Sequence, residues 1–193
     1  MSSIPTLEHP IHSLLADRWS PRAFDKDAGL TQLEVNHLFE AARWAPSSSN
    51  VQPWRYKFAL KSDAEAFQKM LDLLVPANQI WAQHASMLVL AIAKKSYDNR
   101  PGNNAYAWYD LGTANFALTL EAMNHGLYVH QMGGFVREKA VETFQLPEDL
   151  EPVVVLAIGR LGEVGDLPEH LQEREVPRKP RLSQQEFVEQ ISE

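Results

Sequence analysis

The chain has 193 residues, 45% of them apolar and 22% charged, with a formal net charge of −7 and no cysteine. That length carries one domain with a sizeable core, and neither the apolar fraction nor the charge suggests disorder. The missing cysteines exclude disulfides, thiolate chemistry, iron–sulfur clusters and cysteine-type zinc sites, and the acidic balance speaks against broad nucleic-acid binding.

Met1 to Leu7 lacks the basic start and apolar core of a signal peptide, and the longest apolar run, Met87 to Ala93, is too short to cross a bilayer. The expectation is therefore a cytoplasmic protein with no membrane partner. His9 to Ala16 reads as a short helix, followed by a loop broken by Pro21. Thr31 and Glu34 have capping-box spacing ahead of an apolar helical face of Val35, Leu38, Phe39 and Ala42. Trp54, Tyr56, Phe58 and Leu60 alternate with Arg55, Lys57 and Ala59, the pattern of a half-buried strand. Ser62 and Glu65 repeat the capping signal ahead of Phe67, Met70, Leu71 and Leu74. Met87 to Ala93, Leu127 to His130 and Val153 to Ile158 read as further strands.

Ala105 to His125 is a helix that is apolar nearly all round, with Gly126 placed to end it. Its Trp108, Leu111, Phe116, Leu118, Leu120 and Met123 exceed what one sheet face normally covers. A central core helix and a subunit interface explain this equally well. No repeat or long linker divides the chain, so residues 1–193 read as a single domain with a C-terminal tail from about residue 165.

Three segments stand out chemically. RWSPRAF, Arg18 to Phe24, and PRKPR, Pro177 to Arg181, are basic clusters at opposite ends of an acidic chain, and together they could close on one phosphate. The plainer reading of each is a solvated basic turn. APSSSNVQPW, Ala45 to Trp54, has the composition of an ordinary loop and also of a polar pocket wall. HQMGGF, His130 to Phe135, holds paired glycines, which usually serve a turn with positive φ but also let a flat ring approach the backbone. His125 and His130 have no accompanying Cys and no H-E-x-x-H spacing and read as structural histidines, and His9 with His12 is too thin a signal, so no metal is expected. There is no nucleophile elbow, Walker loop or dinucleotide fingerprint.

These segments, in this order, resemble the FMN-dependent nitroreductase family over nearly the whole chain. The resemblance implies an α+β fold, a central mixed or antiparallel sheet flanked by helices, in an intertwined homodimer with flavin sites at the interface. It puts Arg18 and Ser20 on the phosphate and ribityl chain and Arg22 beside the flavin pyrimidine. Lys179 and Arg181 fall on the tail's phosphate contacts, with Arg178 as the alternative register across Pro180. Pro46, Ser47 and Ser48 match positions that reach the other subunit's flavin, Asn50 and Gln52 match its polar loop, and Asn78 matches an amide on the pyrimidine edge. Gly133 and Gly134 match backbone donors to flavin N5 and O4.

Trp81 stands where some members have a flavin-contacting Lys, and Trp19 replaces a polar residue, so it receives no side-chain role. The implied activity passes hydride from NADH or NADPH through flavin N5 to a nitroaromatic, quinone or similar small acceptor by a ping-pong mechanism, with no catalytic acid or base from the chain. Other redox chemistry on the same fold, such as dehalogenation, flavin breakdown or azoline oxidation, stays open, as does a non-enzymatic dimeric binding protein.

Overall fold

The structure, a computed structural model, describes residues 7–175 and 180–191. Its centre is a four-stranded sheet in the order β1-β2-β4-β3, formed by β1 (Trp54–Leu60), β2 (Met87–Lys94), β3 (Tyr128–Met132) and β4 (Leu150–Gly159). Every pairing is antiparallel. The β2–β4 register shifts between Ala91 and Ile92, beside Pro152, where a bulge accommodates a residue that cannot donate to the ladder.

Helices cover both faces. On one side α2 (Gln32–Arg43) and α5 (Ala107–Asn124) pack Val35, Leu38, Leu111 and Leu118 against Met87, Val89, Leu156 and Ile158. On the other, α3 (Ala64–Leu71), α4 (Pro76–Ala82), α6 (Arg137–Phe144) and α7 (Glu169–Glu175) meet Leu88, Leu90, Ile92, Val155 and Ala157. Each fully buried leucine contributes about 1.5–3 kcal/mol, so β2, buried along seven of its eight residues, anchors the molecule. A short α1 (Ser13–Asp17) precedes the basic loop, starting later than the expected His9.

The capping box at Thr31 and Glu34 forms as the spacing predicts. At α3 the cap is Asp63, not Ser62, because the Asp63 carboxylate takes the Ala66 N–H. Strand β1 also departs from simple alternation. Ala59 is buried in the cluster with Phe67, whereas Phe58, on an edge strand, rests on the Phe39 ring at 5.2 Å and stays 43% exposed. Helix α5 ends just before Gly126, whose φ of 68° suits glycine. Along its outer side Tyr109 (76% exposed), Gly112 and Phe116 (43%) form an i, i+3, i+7 stripe. Among the described residues no helix is long and apolar enough to cross a membrane.

Candidate functional site

The loop after α1 is stitched to the sheet by backbone pairing. Asp25 N–H donates to Arg160 O, Gly162 N–H donates to Ala23 O, and Phe24 bridges Leu161. A Cβ on Gly162 would stand 2.5 Å from the Phe24 backbone, so only glycine permits this approach. The loop is held a second time by α7. Glu175, 2% exposed, accepts the N–H of Arg22 at 2.6 Å and of Ala23 at 3.0 Å, and its other oxygen lies 3.6 Å from the Arg22 guanidinium. Arg18 and Ser20 share a contact of 3.5 Å on the outer side of the loop.

His130, on β3, reaches back to the same loop. Its Nδ1 lies 2.9 Å from Pro21 O, and since a carbonyl only accepts, Nδ1 carries the proton. Burial pushes its pKa down to about 4, with the neighbouring Arg22 charge adding to the effect and the carbonyls of Pro21 and Ser20 opposing it. His130 is therefore neutral at neutral pH, a satisfied interior histidine. It packs at 4.5 Å against Trp81, which itself stacks on Phe24 at 6.2 Å. Trp81 is 1% exposed, a core side chain.

One turn before Trp81 on α4, Asn78 closes the arrangement. The residues after β3 pair with those before α4: Leu74 bridges Phe135, Val136 N–H donates to Leu73 O, and Val75 N–H donates to Gly134 O. Asn78 Nδ2 donates to the same Gly134 carbonyl at 3.0 Å. A Cβ on Gly134 would sit 2.6 Å from Asn78 Nδ2, whereas a Cβ on exposed Gly133 would meet nothing within 4 Å. Neither glycine has positive φ, so what both positions use is the missing side chain, not left-handed backbone. The N–H groups of Gly133 and Gly134 donate to no described residue. The Arg18–Arg22 loop, His130, Trp81, Asn78 and the glycine pair thus form one connected neighbourhood.

Pro46 to Gln52 lies elsewhere, tied to the start of α5. Ser48 N–H donates to buried Asp110, and Ser47 Oγ takes the Gln52 N–H. Ser49, Asn50 and Gln52 all have φ between 51° and 54°, an unusual density of left-handed non-glycine residues. Such strain persists only where surrounding contacts over-determine it, and it concentrates at functional sites. No hydrogen bond among the described residues joins this loop to Arg18, Arg22, Asn78 or Gly134. Arg181 is exposed, and Lys179 and Arg178 lie outside the described residues.

Sequence reasoning missed Glu175 and Asp110. Each is an acid that holds backbone N–H groups distant in sequence, and no local motif marks such a role.

The residues present suit a flavin phosphate and ring. A basic loop carries hydroxyl and guanidinium donors, Gly133 leaves its backbone uncluttered, and the Asn78 amide is held on the Gly134 carbonyl. The model of the nitroreductase family matches residues 15–160, and the chain belongs to that family. A solved oxidoreductase containing FMN is 35% identical and superposes with a TM-score of 0.91, covering 97% of this chain and 96% of that one. An uncharacterised 15.4 kDa protein of Mycolicibacterium smegmatis is 35% identical over 119 residues, 62% of this chain and 78% of that protein. The major NAD(P)H-flavin oxidoreductase of Aliivibrio fischeri is 33% identical over 94 residues, 47% of this chain and 42% of its own length.

Proposed function

We propose that the chain is a homodimeric oxidoreductase that carries FMN and passes reducing equivalents from NADH or NADPH to a small acceptor such as a nitroaromatic or a quinone. The observation that carries this reading is the pair of N–H groups at Gly133 and Gly134 that meet no partner among the described residues, with Gly134 fixed by Asn78 and Val75 and the same strand tied through His130 to the loop bearing Arg18, Ser20 and Arg22. Its support from relatives is the similarity to an FMN-containing oxidoreductase and to an NAD(P)H-flavin oxidoreductase.

In this reading Arg18 and Ser20, with Lys179 and Arg181 of the tail, hold the phosphate by charge-assisted hydrogen bonds. Arg22 places a cation at the pyrimidine edge, where it favours the anionic reduced ring, and Glu175 fixes the backbone from which it projects. Asn78 donates to Gly134 and so presents its carbonyl oxygen to the ring edge. Bound FMN supplies the hydride-accepting nitrogen, so the chain needs no nucleophile, metal or acid–base residue of its own. Pro46, Ser47, Ser48, Asn50 and Gln52 serve the partner subunit's site, in keeping with their attachment to α5, whose Tyr109–Phe116 stripe the partner covers.

The test is flavin binding. FMN and riboflavin are titrated into apo wild type and into Arg18→Ala, with sedimentation to follow assembly. Loss of one charge-assisted contact weakens FMN about ten- to a hundredfold and leaves riboflavin far less affected. Equal losses for both ligands, or full FMN affinity in a stable monomer, contradict the reading.

A further inference from the structure

On the opposite face of the sheet from Trp81 and His130, the helix pair α2–α5 gathers three half-buried side chains that play no part in the site above. His37 of α2 and Glu121 and His125 of α5 each offer a ligand atom, and these three atoms all lie within 4.8 Å of one another. His125 Nε2 and Glu121 Oε1 are 2.8 Å apart, the i, i+4 spacing that puts both on one side of a helix. The rings of His37 and His125 stack with centroids 4.8 Å apart and planes 24° from parallel. A helix-surface hydrogen bond accounts for Glu121 and His125 alone. It does not account for His37, whose Nδ1 is buried and has no hydrogen-bond partner among the described residues.

We propose that His37, Glu121 and His125 form a binding site for one divalent cation of the borderline class, zinc above all. Two imidazoles and a carboxylate are a donor set that suits this class, and hard cations such as magnesium prefer oxygen alone. With bonds of about 2.0–2.2 Å, tetrahedral coordination asks for ligand atoms about 3.3 Å apart. Glu121 and His125 already stand within that spacing, and rotation of the His37 ring brings in the third ligand. A water completes the set.

The last turn of α5 is braced for this role. Arg160 donates to the His125 carbonyl at 3.2 Å and turns its other nitrogen to Glu34 at 2.6 Å, so a nearby carboxylate balances its charge. A bound cation would cross-link α2 to α5, the pair that forms one whole wall of the core.

The experiment uses full-length, tag-free protein stripped with chelator, since an affinity tag would bind metal itself. Zinc is titrated by calorimetry and cobalt(II) by its visible d–d absorption. Wild type is expected to take one ion per chain in the micromolar range, and at a hundredfold excess over Kd to melt roughly 5–10 °C higher. His37→Gln and His125→Gln are each expected to lose about tenfold or more in affinity, together with the melting shift. A His9→Gln/His12→Gln double variant is expected to keep both. Glu121→Gln supplies the same test should either histidine variant fail to fold. No saturable site in wild type, or unchanged affinity in His37→Gln, overturns the proposal.

Discussion

Glu175, the last residue of α7, takes the N–H groups of Arg22 and Ala23 on a single carboxylate oxygen, at 2.6 and 3.0 Å. The chain entering the basic tail is thereby fastened to the loop that carries the N-terminal basic cluster, 153 positions away. Truncation to Glu175→Ala strands two donors where water has little access, a loss of about 2–4 kcal/mol. Urea unfolding measures it, and Glu175→Gln, which keeps an acceptor oxygen, recovers part of the loss. An alanine variant as stable as wild type would show that the carboxylate holds nothing.

The two glycines of HQMGGF separate under substitution. Gly134→Ala pushes a methyl to within 2.6 Å of Asn78 Nδ2, displacing the amide and costing about 1–3 kcal/mol of stability. Gly133→Ala meets nothing inside the chain, so its melting temperature stays near wild type while its FMN affinity falls. Equal melting behaviour of the two variants, or unchanged FMN affinity in Gly133→Ala, contradicts this assignment.

In the Pro46–Gln52 loop, the left-handed backbone of Ser49 is a cost the fold carries. Ser49→Gly relieves that strain and raises stability by about 0.5–1 kcal/mol, after allowing for the greater freedom of glycine in the unfolded chain. Thermal unfolding tests it. A destabilised Ser49→Gly protein shows that the positive φ carries no strain.

His130 makes stability depend on pH in a definite direction. Its folded pKa of about 4 lies below the ordinary histidine value of 6.5, so the unfolded chain binds the extra proton first as pH falls. The contribution is fully present above pH about 6.5 and drains away toward pH 4, amounting to about 3 kcal/mol. His130→Gln flattens the stability profile across that window. A variant with the wild-type slope places the titration elsewhere.

The legible parts of the fold are those set by local chemistry. Thr31 and Glu34 announce the start of α2 because both partners of the capping box lie within four residues, and Gly126 ends α5 because left-handed backbone favours glycine. The central strands β2 and β4 show as apolar runs because each is covered on both faces. What stayed hidden depends on distant partners. The roles of Glu175 and Asp110 exist only once Arg22 and Ser48 arrive from far along the chain. Phe58 follows the sequence pattern yet is 43% exposed, because β1 lies at the sheet edge. Trp81 stands at a position matched to a flavin-contacting Lys, and the sequence around it did not show that its side chain is buried against Phe24 and His130.

In the proposed reaction a flavin accepts electrons from a nicotinamide donor and hands them to a second substrate at one face. The experiment is anaerobic mixing of the FMN-loaded protein with NADH and, separately, NADPH, followed by addition of a nitroaromatic or a quinone. The visible flavin band is expected to bleach with at least one donor and return on adding acceptor, with parallel initial-rate lines when both substrates are varied. A flavin that stays oxidised with both donors overturns this function and leaves the fold to one of its other redox chemistries.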